Sequence, residues 1–244
     1  MSLAPARHWA LPGAHNIRDL GGYSTAKGGT TQRRRILRGE SLHYLDAEAI
    51  DELASNNLAL VVDLRGRHET GLARHPFSSH PRVAYRNIAL FEALPRITLA
   101  ETPFDMAQRY CNALDRCGPR FAEVLRAIID APPGLVLFHC TAGKDRTGIV
   151  AALVLSACGV GQSDVIADYA LTAAAHGLID HLRERALAGG GEPEHIERVL
   201  ASDAETMRAM LTYLKDAHGG IGAYLKAIGL TPDEMEKLAN RLCG

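Results

Sequence analysis

No part of this chain is long and apolar enough to cross a bilayer: the longest apolar stretches, near Ile149–Ala157 and Leu58–Val62, fall far short of the roughly 20 residues a spanning helix needs. Nor is there an excess of charge of either sign. The 27 basic and 28 acidic residues leave a formal net charge of -1, so nothing steers the whole molecule to nucleic acid or to an anionic membrane. Any anion has to be bound by a local site. The first residues, Met1-Ser2-Leu3-Ala4, lack the charged and apolar regions of a secretory leader, and the expected location is cytoplasmic. Cysteine is sparse, and Cys111, Cys117, Cys140, Cys158 and Cys243 form an odd set without zinc-type spacing. That pattern suits free thiols in a reducing compartment. The histidines are scattered, and His176 with His181 has no matching carboxylate set, so neither a metal nor another cofactor is expected. Internal repeats and low-complexity tracts are absent as well.

What remains is an ordinary globular composition, 47% apolar and 23% charged over 244 residues, enough for one α/β enzyme domain. The first forty residues suit short strands joined by turns at Gly21-Gly22 and Gly28-Gly29. Asp46 is placed to cap a helix running to about Ser55. Leu58 to Asp63 reads as a buried strand, Val83 to Ala89 as another strand and Leu135 to Phe138 as a short, strongly apolar one. Helical spacing runs through residues 104–130 with a break at Gly118-Pro119, and the chain beyond Thr147 reads as helical to its end.

The decisive segment is His139-Cys140-Thr141-Ala142-Gly143-Lys144-Asp145-Arg146-Thr147-Gly148. It is a strand end, a loop of small residues and the start of a helix, expected from Thr147 to about Cys158. A helix N-terminus exposes unpaired N–H groups and the positive end of the helix dipole. A loop feeding into it can aim further N–H groups inward and cradle a phosphate. Thr141, Ala142, Gly143, Lys144, Asp145 and Arg146 are the expected phosphate-binding residues, with Ala142 and Gly143 permitting close backbone approach. Arg146 supplies a planar fork for two phosphoryl oxygens. Cys140 sits where a nucleophile belongs, since helix N-termini and cations favour the thiolate. Attack on phosphorus would give a cysteinyl-phosphate that water hydrolyses. Thr147 is placed to donate its hydroxyl to the departing sulfur, and His139 to hold the loop.

This run resembles the signature loop of the protein tyrosine phosphatase superfamily: His-Cys, five residues, then Arg and Ser/Thr. Further stretches are similar to the bacterial and fungal tyrosine phosphatases with a Lys-Asp pair in that loop. They are Asn16-Ile17-Arg18-Asp19-Leu20-Gly21-Gly22-Tyr23, Arg38-Gly39-Glu40, Asp63-Leu64-Arg65, Ala167-Asp168-Tyr169 and the late Gly219-Gly220-Ile221 with Tyr224-Leu225. The resemblance implies an α/β fold with a central sheet of about four or five strands flanked by helices, residues 93–130 forming a lid or accessory helices. It implies phosphotyrosine hydrolysis, with dual specificity or phosphoinositide substrates as the alternative and a phosphorylated protein or lipid as partner. Secreted members mean that a missing leader does not settle location.

Several roles stay open at this level. Trp9, the one tryptophan, is followed by Ala10 and Leu11, so the Trp-Pro-Asp loop that carries the general acid in ordinary tyrosine phosphatases is absent. Glu92, Asp145 and Asp63 compete for that task; Asp63 could instead be structural, with Arg65 as partner. Lys144 would add a cation near the pocket mouth and favour crowded anions. Asp168 and Tyr169 are expected under the active loop, the carboxylate capping or solvated, and Tyr110 in the core or at an interface. Rival classes are a sulfur-transfer or arsenate-reducing enzyme, which lacks a marked second cysteine here, and a silent phospho-ligand binder, which would usually have lost Cys140 or Arg146.

Overall fold

The apolar runs of the sequence become the middle of a five-stranded sheet. The computed structural model describes residues 7–72, 74–95, 97 and 104–244. Its strands are β1 (Arg18–Asp19), β2 (Ile36–Gly39), β3 (Leu58–Asp63), β4 (Ala84–Asn87) and β5 (Leu135–His139), in the order β1-β2-β5-β3-β4. Only β1 runs antiparallel to its neighbour; β2, β5, β3 and β4 are parallel. β5 is central and buried along its whole length, as expected of a parallel strand covered on both faces. Its side chains alternate between two cores. Val136 and Phe138 join Leu60, Val62 and Ile36 on one face, while Leu135 and Leu137 join Val61, Leu37 and Ile17 on the other.

The helices are α1 (Ala47–Ser55), α2 (Arg67–Leu72), α3 (Met106–Arg116), α4 (Gly118–Ile129), α5 (Asp145–Ala157), α6 (Gln162–Ala170), α7 (His176–Ala188), α8 (Pro193–Leu200), α9 (Ala204–His218), α10 (Ile221–Ala227) and α11 (Pro232–Cys243). α1 covers the smaller core and starts where expected, the Asp46 carboxylate accepting from Ala49 N at 2.8 Å. α5 is the central helix of the larger core, buried from Thr147 through Leu155. It begins two residues earlier than the sequence suggested, so Asp145 and Arg146 already lie in its first turn.

Residues 93–130 were expected as a lid or accessory helices, and where they are described they include the two helices α3 and α4. α3 and α4 bury Tyr110, Ala113, Leu114, Phe121, Val124, Leu125 and Ile128 in the main core. The apolar faces of both helices are thus part of the main core. Residues 96 and 98–103 lie outside the described residues.

The C-terminal ends of the parallel strands converge at one edge, where ligands of open α/β sheets bind. Strand register places Gly39, His139, Asp63 and Asn87 in a single row across that edge. The Cys140 loop springs from the middle of this row.

Candidate active site

Four consecutive carbonyls of the loop are held from outside. His139 Nδ1 lies 3.1 Å from the Cys140 oxygen, Ser41 N donates to Thr141 O at 3.0 Å, Asn16 Nδ2 to Ala142 O at 2.8 Å, and Arg38 Nη2 to Gly143 O at 2.6 Å. A trans peptide points its N–H opposite to its C=O. Fixing these carbonyls outward therefore turns the amides of Thr141, Ala142, Gly143 and Lys144 toward the concave side. The curve needs Gly143 at φ +67°, and a Cβ there would lie 2.5 Å from the Gly39 carbonyl carbon; no other residue fits. Cys140 is buried at the head of this loop, 2% exposed.

The Arg38 and Asn16 that grip the loop are themselves locked beneath it. Asp168 of α6 accepts from Arg18 Nε at 3.1 Å, from Arg38 Nη1 at 2.5 Å and from Tyr23 OH at 3.0 Å, and all four side chains are buried. Burial pushes the Asp168 carboxyl up, but the two guanidiniums outweigh it and hold it down at about 2. The expectation of a capping or solvated Asp168 is thus corrected. Its charge is sequestered because two arginines from the N-terminal segment need a counter-ion in a dry place.

A carboxylate that the sequence reading missed completes the grip on Arg146. Glu69 of α2 accepts from Arg146 Nη1 at 2.5 Å and Nη2 at 2.8 Å, from Gly66 N at 2.9 Å, and from the Thr141 hydroxyl. Burial raises the Glu69 carboxyl, and Arg146 more than offsets this, leaving it at about 2. The same pairing raises Arg146 further above its usual range. Nη2 also donates to Thr141 Oγ1 at 3.4 Å; a guanidinium has five N–H donors, so Nε–H and the second Nη1 hydrogen remain for an anion. The spacing of Glu69 six residues after Asp63 was the available signal, unreadable without knowing that β3 ends beside the loop.

Beside the loop opens a cleft of 540 Å³ lined by Gly66, Arg67, His68, Glu69, Leu90, Phe91, Glu92, Leu94, Pro95, Ile97, Arg109, Asp145 and Arg146. Of the three carboxylates weighed from sequence, two reach it. Glu92 is exposed at the rim. Asp145 lines the wall, but its Oδ1 accepts from Tyr110 OH at 2.6 Å and lies 3.3 Å from Lys144 Nζ. Asp63 does not reach it: fully buried, it is engaged by Arg65 Nε at 3.0 Å, Arg65 Nη2 at 2.8 Å and Tyr85 OH at 2.9 Å. Burial raises its carboxyl, and the neighbouring His139 together with the Arg65 contacts outweighs this and holds it at about 2, so it is a brace. Lys144 also departs from expectation. It is 2% exposed and its ammonium turns away from the cleft to the carbonyls of Val199 and Ala201 at the C-terminal end of α8, where helix-end oxygens want a cation.

The chain matches the model of the Tyrosine phosphatase family over residues 9–244. It is 33% identical over 202 residues to a tyrosine-protein phosphatase of Nostoc commune, covering 79% of this chain and 68% of that one. It belongs to the tyrosine phosphatase family. A triple specificity protein phosphatase, PtpB of Mycobacterium tuberculosis, is 28% identical over 280 residues, with 96% of this chain and 98% of that one covered. The solved structure of Pseudomonas aeruginosa TpbA with phosphotyrosine covers 94% of this chain and 100% of its own at 15% identity and a TM-score of 0.45, which adds nothing to the assignment.

As a tyrosine phosphatase the chain is a phosphoric ester hydrolase, and its α/β architecture with a five-stranded mixed sheet agrees with the expectation from sequence. The phosphatase keeps Arg33, Arg34 and Arg35 away from the cleft: none of them lines it, and Arg35 Nε donates to Gln32 at 2.9 Å. Its residues Tyr110 and Tyr169 touch through their hydroxyls at 3.0 Å, so Tyr110 is a core residue whose one polar atom braces Asp145. No helix of the described residues is long and apolar enough to cross a membrane.

Proposed function

We propose that this phosphatase hydrolyses phosphotyrosine by covalent catalysis at Cys140. The supporting observation is the outward pinning of four successive loop carbonyls around a buried cysteine, beside an arginine already oriented by Glu69. The Cys140 thiolate attacks phosphorus, the ester oxygen leaves with a proton, and water then displaces the sulfur from the cysteinyl-phosphate. The amides of Thr141 to Lys144 and the remaining Arg146 donors carry the charge of the equatorial oxygens. The buried Thr147 hydroxyl has no hydrogen-bond partner among the described residues, which leaves its proton for the sulfur as it departs. Glu92 is the general acid in this reading. Asp145 accepts from Tyr110 and Lys144 on the atom nearest them, whereas Glu92 is exposed at the rim where the leaving oxygen exits.

Leu90, Phe91, Leu94 and Ile97 give the cleft apolar walls, suited to an aromatic ring held over a phosphate site. The name of the mycobacterial relative supports acceptance beyond phosphotyrosine. For a phosphoinositide, Arg67 and Arg109 line the cleft and would meet additional phosphates, a task that Lys144 cannot perform from its buried position. Phosphate release from a phosphotyrosine peptide and a short-chain phosphoinositide, side by side with Cys140→Ser, tests the reading. Peptide turnover that vanishes in the variant is expected. Undiminished release by Cys140→Ser would refute the nucleophile. Faster lipid turnover, reduced in Arg109→Ala, would move the substrate assignment to phosphoinositides.

A further inference from the structure

Behind the nucleophile lies a buried imidazole pair that the catalytic scheme does not use. His75 is 4% and His139 0% exposed, and their Nε2 atoms lie 3.0 Å apart. The rings stack at 5.0 Å between centroids, and Tyr85 also stacks on His75 at 4.6 Å. Two facts fix where the protons are. Phe77 N donates to His75 Nδ1 at 3.1 Å, so Nδ1 of His75 is an acceptor and a neutral ring carries its proton on Nε2. That proton faces His139 Nε2, which must then be the acceptor. The His139 proton is left on Nδ1, aimed at the Cys140 carbonyl 3.1 Å away.

We infer that His75 is a positioning residue for catalysis: it selects the Nδ1–H tautomer of His139, and through it pins the Cys140 carbonyl so that the Thr141 amide faces the phosphate cradle. This deepens the proposed covalent mechanism and rests on it. In the other tautomer His139 Nδ1 would set a lone pair against the carbonyl oxygen, and the first of the four pins would become a repulsion. The pair has to be neutral for this to work. Burial, followed by the neighbouring His139, pushes His75 down to about 3, and burial pushes His139 down as well.

The other groups facing the pair, Asp63 excepted, agree with neutrality. Arg65 and His43 disfavour a charge on His75, and Asp63 favours one but is taken by Arg65 and Tyr85; at His139, burial, Arg65 and Arg146 disfavour a charge, against Asp63 Oδ1 at 3.8 Å from Nε2. The alternative use of the cluster is a metal site, since ligand atoms of Asp63, His75 and His139 lie within 4.8 Å of one another. Its lone pairs are already committed: the Asp63 oxygens to Arg65, His75 Nδ1 to Phe77, and His139 Nε2 to His75. A guanidinium bound to the would-be ligand also repels a cation. The arrangement fits a proton-ordering device and does not fit a metal centre.

The direct test is nitrogen NMR of the full chain with labelled histidine, which distinguishes protonated from bare ring nitrogens. His139 protonated on Nδ1 and His75 on Nε2 are expected across neutral pH; His139 protonated on Nε2 would overturn the inference by itself. Two substitutions follow. His75→Phe keeps ring volume and stacking but removes the donor, whereas the side-chain amide of His75→Gln reaches the Nε2 position and restores it. We expect His75→Phe to lower kcat by roughly tenfold, as for other losses of orientation, and to move the acidic limb of the kcat/KM profile upward. His75→Gln should return both toward wild type. A folded His75→Phe with an unshifted limb, or a Gln variant no better than Phe, would reduce His75 to packing. Turnover surviving in Cys140→Ser would instead strike the nucleophile assignment, leaving the tautomer spectrum to stand or fall alone.

Discussion

The sharpest consequence concerns Glu69, because two opposite roles fit a carboxylate on the arginine proposed to bind phosphate. As a brace, it holds Arg146 in the orientation a phosphate needs; as a plug, it competes with the phosphate. Geometry favours the brace: Glu69 takes one hydrogen from each terminal nitrogen, Thr141 Oγ1 a second from Nη2 at 3.4 Å, and Nε–H and the second Nη1 hydrogen are left. Glu69→Gln preserves shape but turns an amide N–H against a guanidinium N–H. Charge-assisted hydrogen bonds are worth about 1.5–3 kcal/mol each, and a carboxylate one-third exposed warrants a discount for solvent screening. About 2 kcal/mol expressed in orientation corresponds to roughly a 30-fold loss of kcat/KM. Steady-state kinetics on a phosphotyrosine peptide, with inorganic phosphate as competitive inhibitor, separates the roles. We expect lower kcat and weaker phosphate inhibition. A lower KM, tighter phosphate inhibition and unchanged kcat would make Glu69 a plug and overturn the argument.

Three further outcomes follow from the loop and its supports. Gly143→Ala should abolish activity, because its Cβ meets the Gly39 backbone at 2.5 Å at a φ of +67°; phosphate release in a variant shown to be folded by circular dichroism checks this. Lys144→Met should leave the ratio of peptide to phosphoinositide turnover unchanged and lower the urea midpoint, since its ammonium serves Val199 and Ala201; a changed ratio would return it to the cleft. Asp168→Asn leaves Arg18 and Arg38 without a counter-ion and should cost about 3–5 kcal/mol in denaturant titration. The wild-type contribution of this carboxylate is fully present above its unfolded value near 4 and is lost as pH falls through its folded value of about 2. Stability lost on acidification through that window in the wild type, and less so in Asp168→Asn, is the expected pattern.

The strands and the loop were legible because their signals are local. An apolar run of Leu58 to Asp63 or Leu135 to His139, bounded by turns, has few alternatives to a buried parallel strand, and Cys140 to Arg146 carries its geometry in its own spacing. What the sequence concealed depends on contacts far apart in the chain. Glu69 sits 77 residues from Arg146, and nothing in Arg67-His68-Glu69-Thr70 distinguishes it from a solvated helix start. The buried Asp168 looked like any helical carboxylate until Arg18 and Arg38, 150 and 130 residues away, arrived beside it. Lys144 misled for a related reason: a lysine in an anion loop suggests an anion, but here the end of α8 lies within its reach. Residues 104–130 had correct helical spacing, and only tertiary packing could show that their apolar face is core.

The central claim is a phosphoryl group carried on Cys140. Rapid mixing with a phosphotyrosine peptide, denaturing quench within a turnover and mass spectrometry of the digested chain would read it directly. We expect one phosphoryl group on the peptide that contains Cys140, enriched in Thr147→Ala because the sulfur then leaves more slowly, and absent in Cys140→Ser. Turnover at the normal rate with no such adduct at any quench time, or with the phosphoryl group on another residue, would contradict the account.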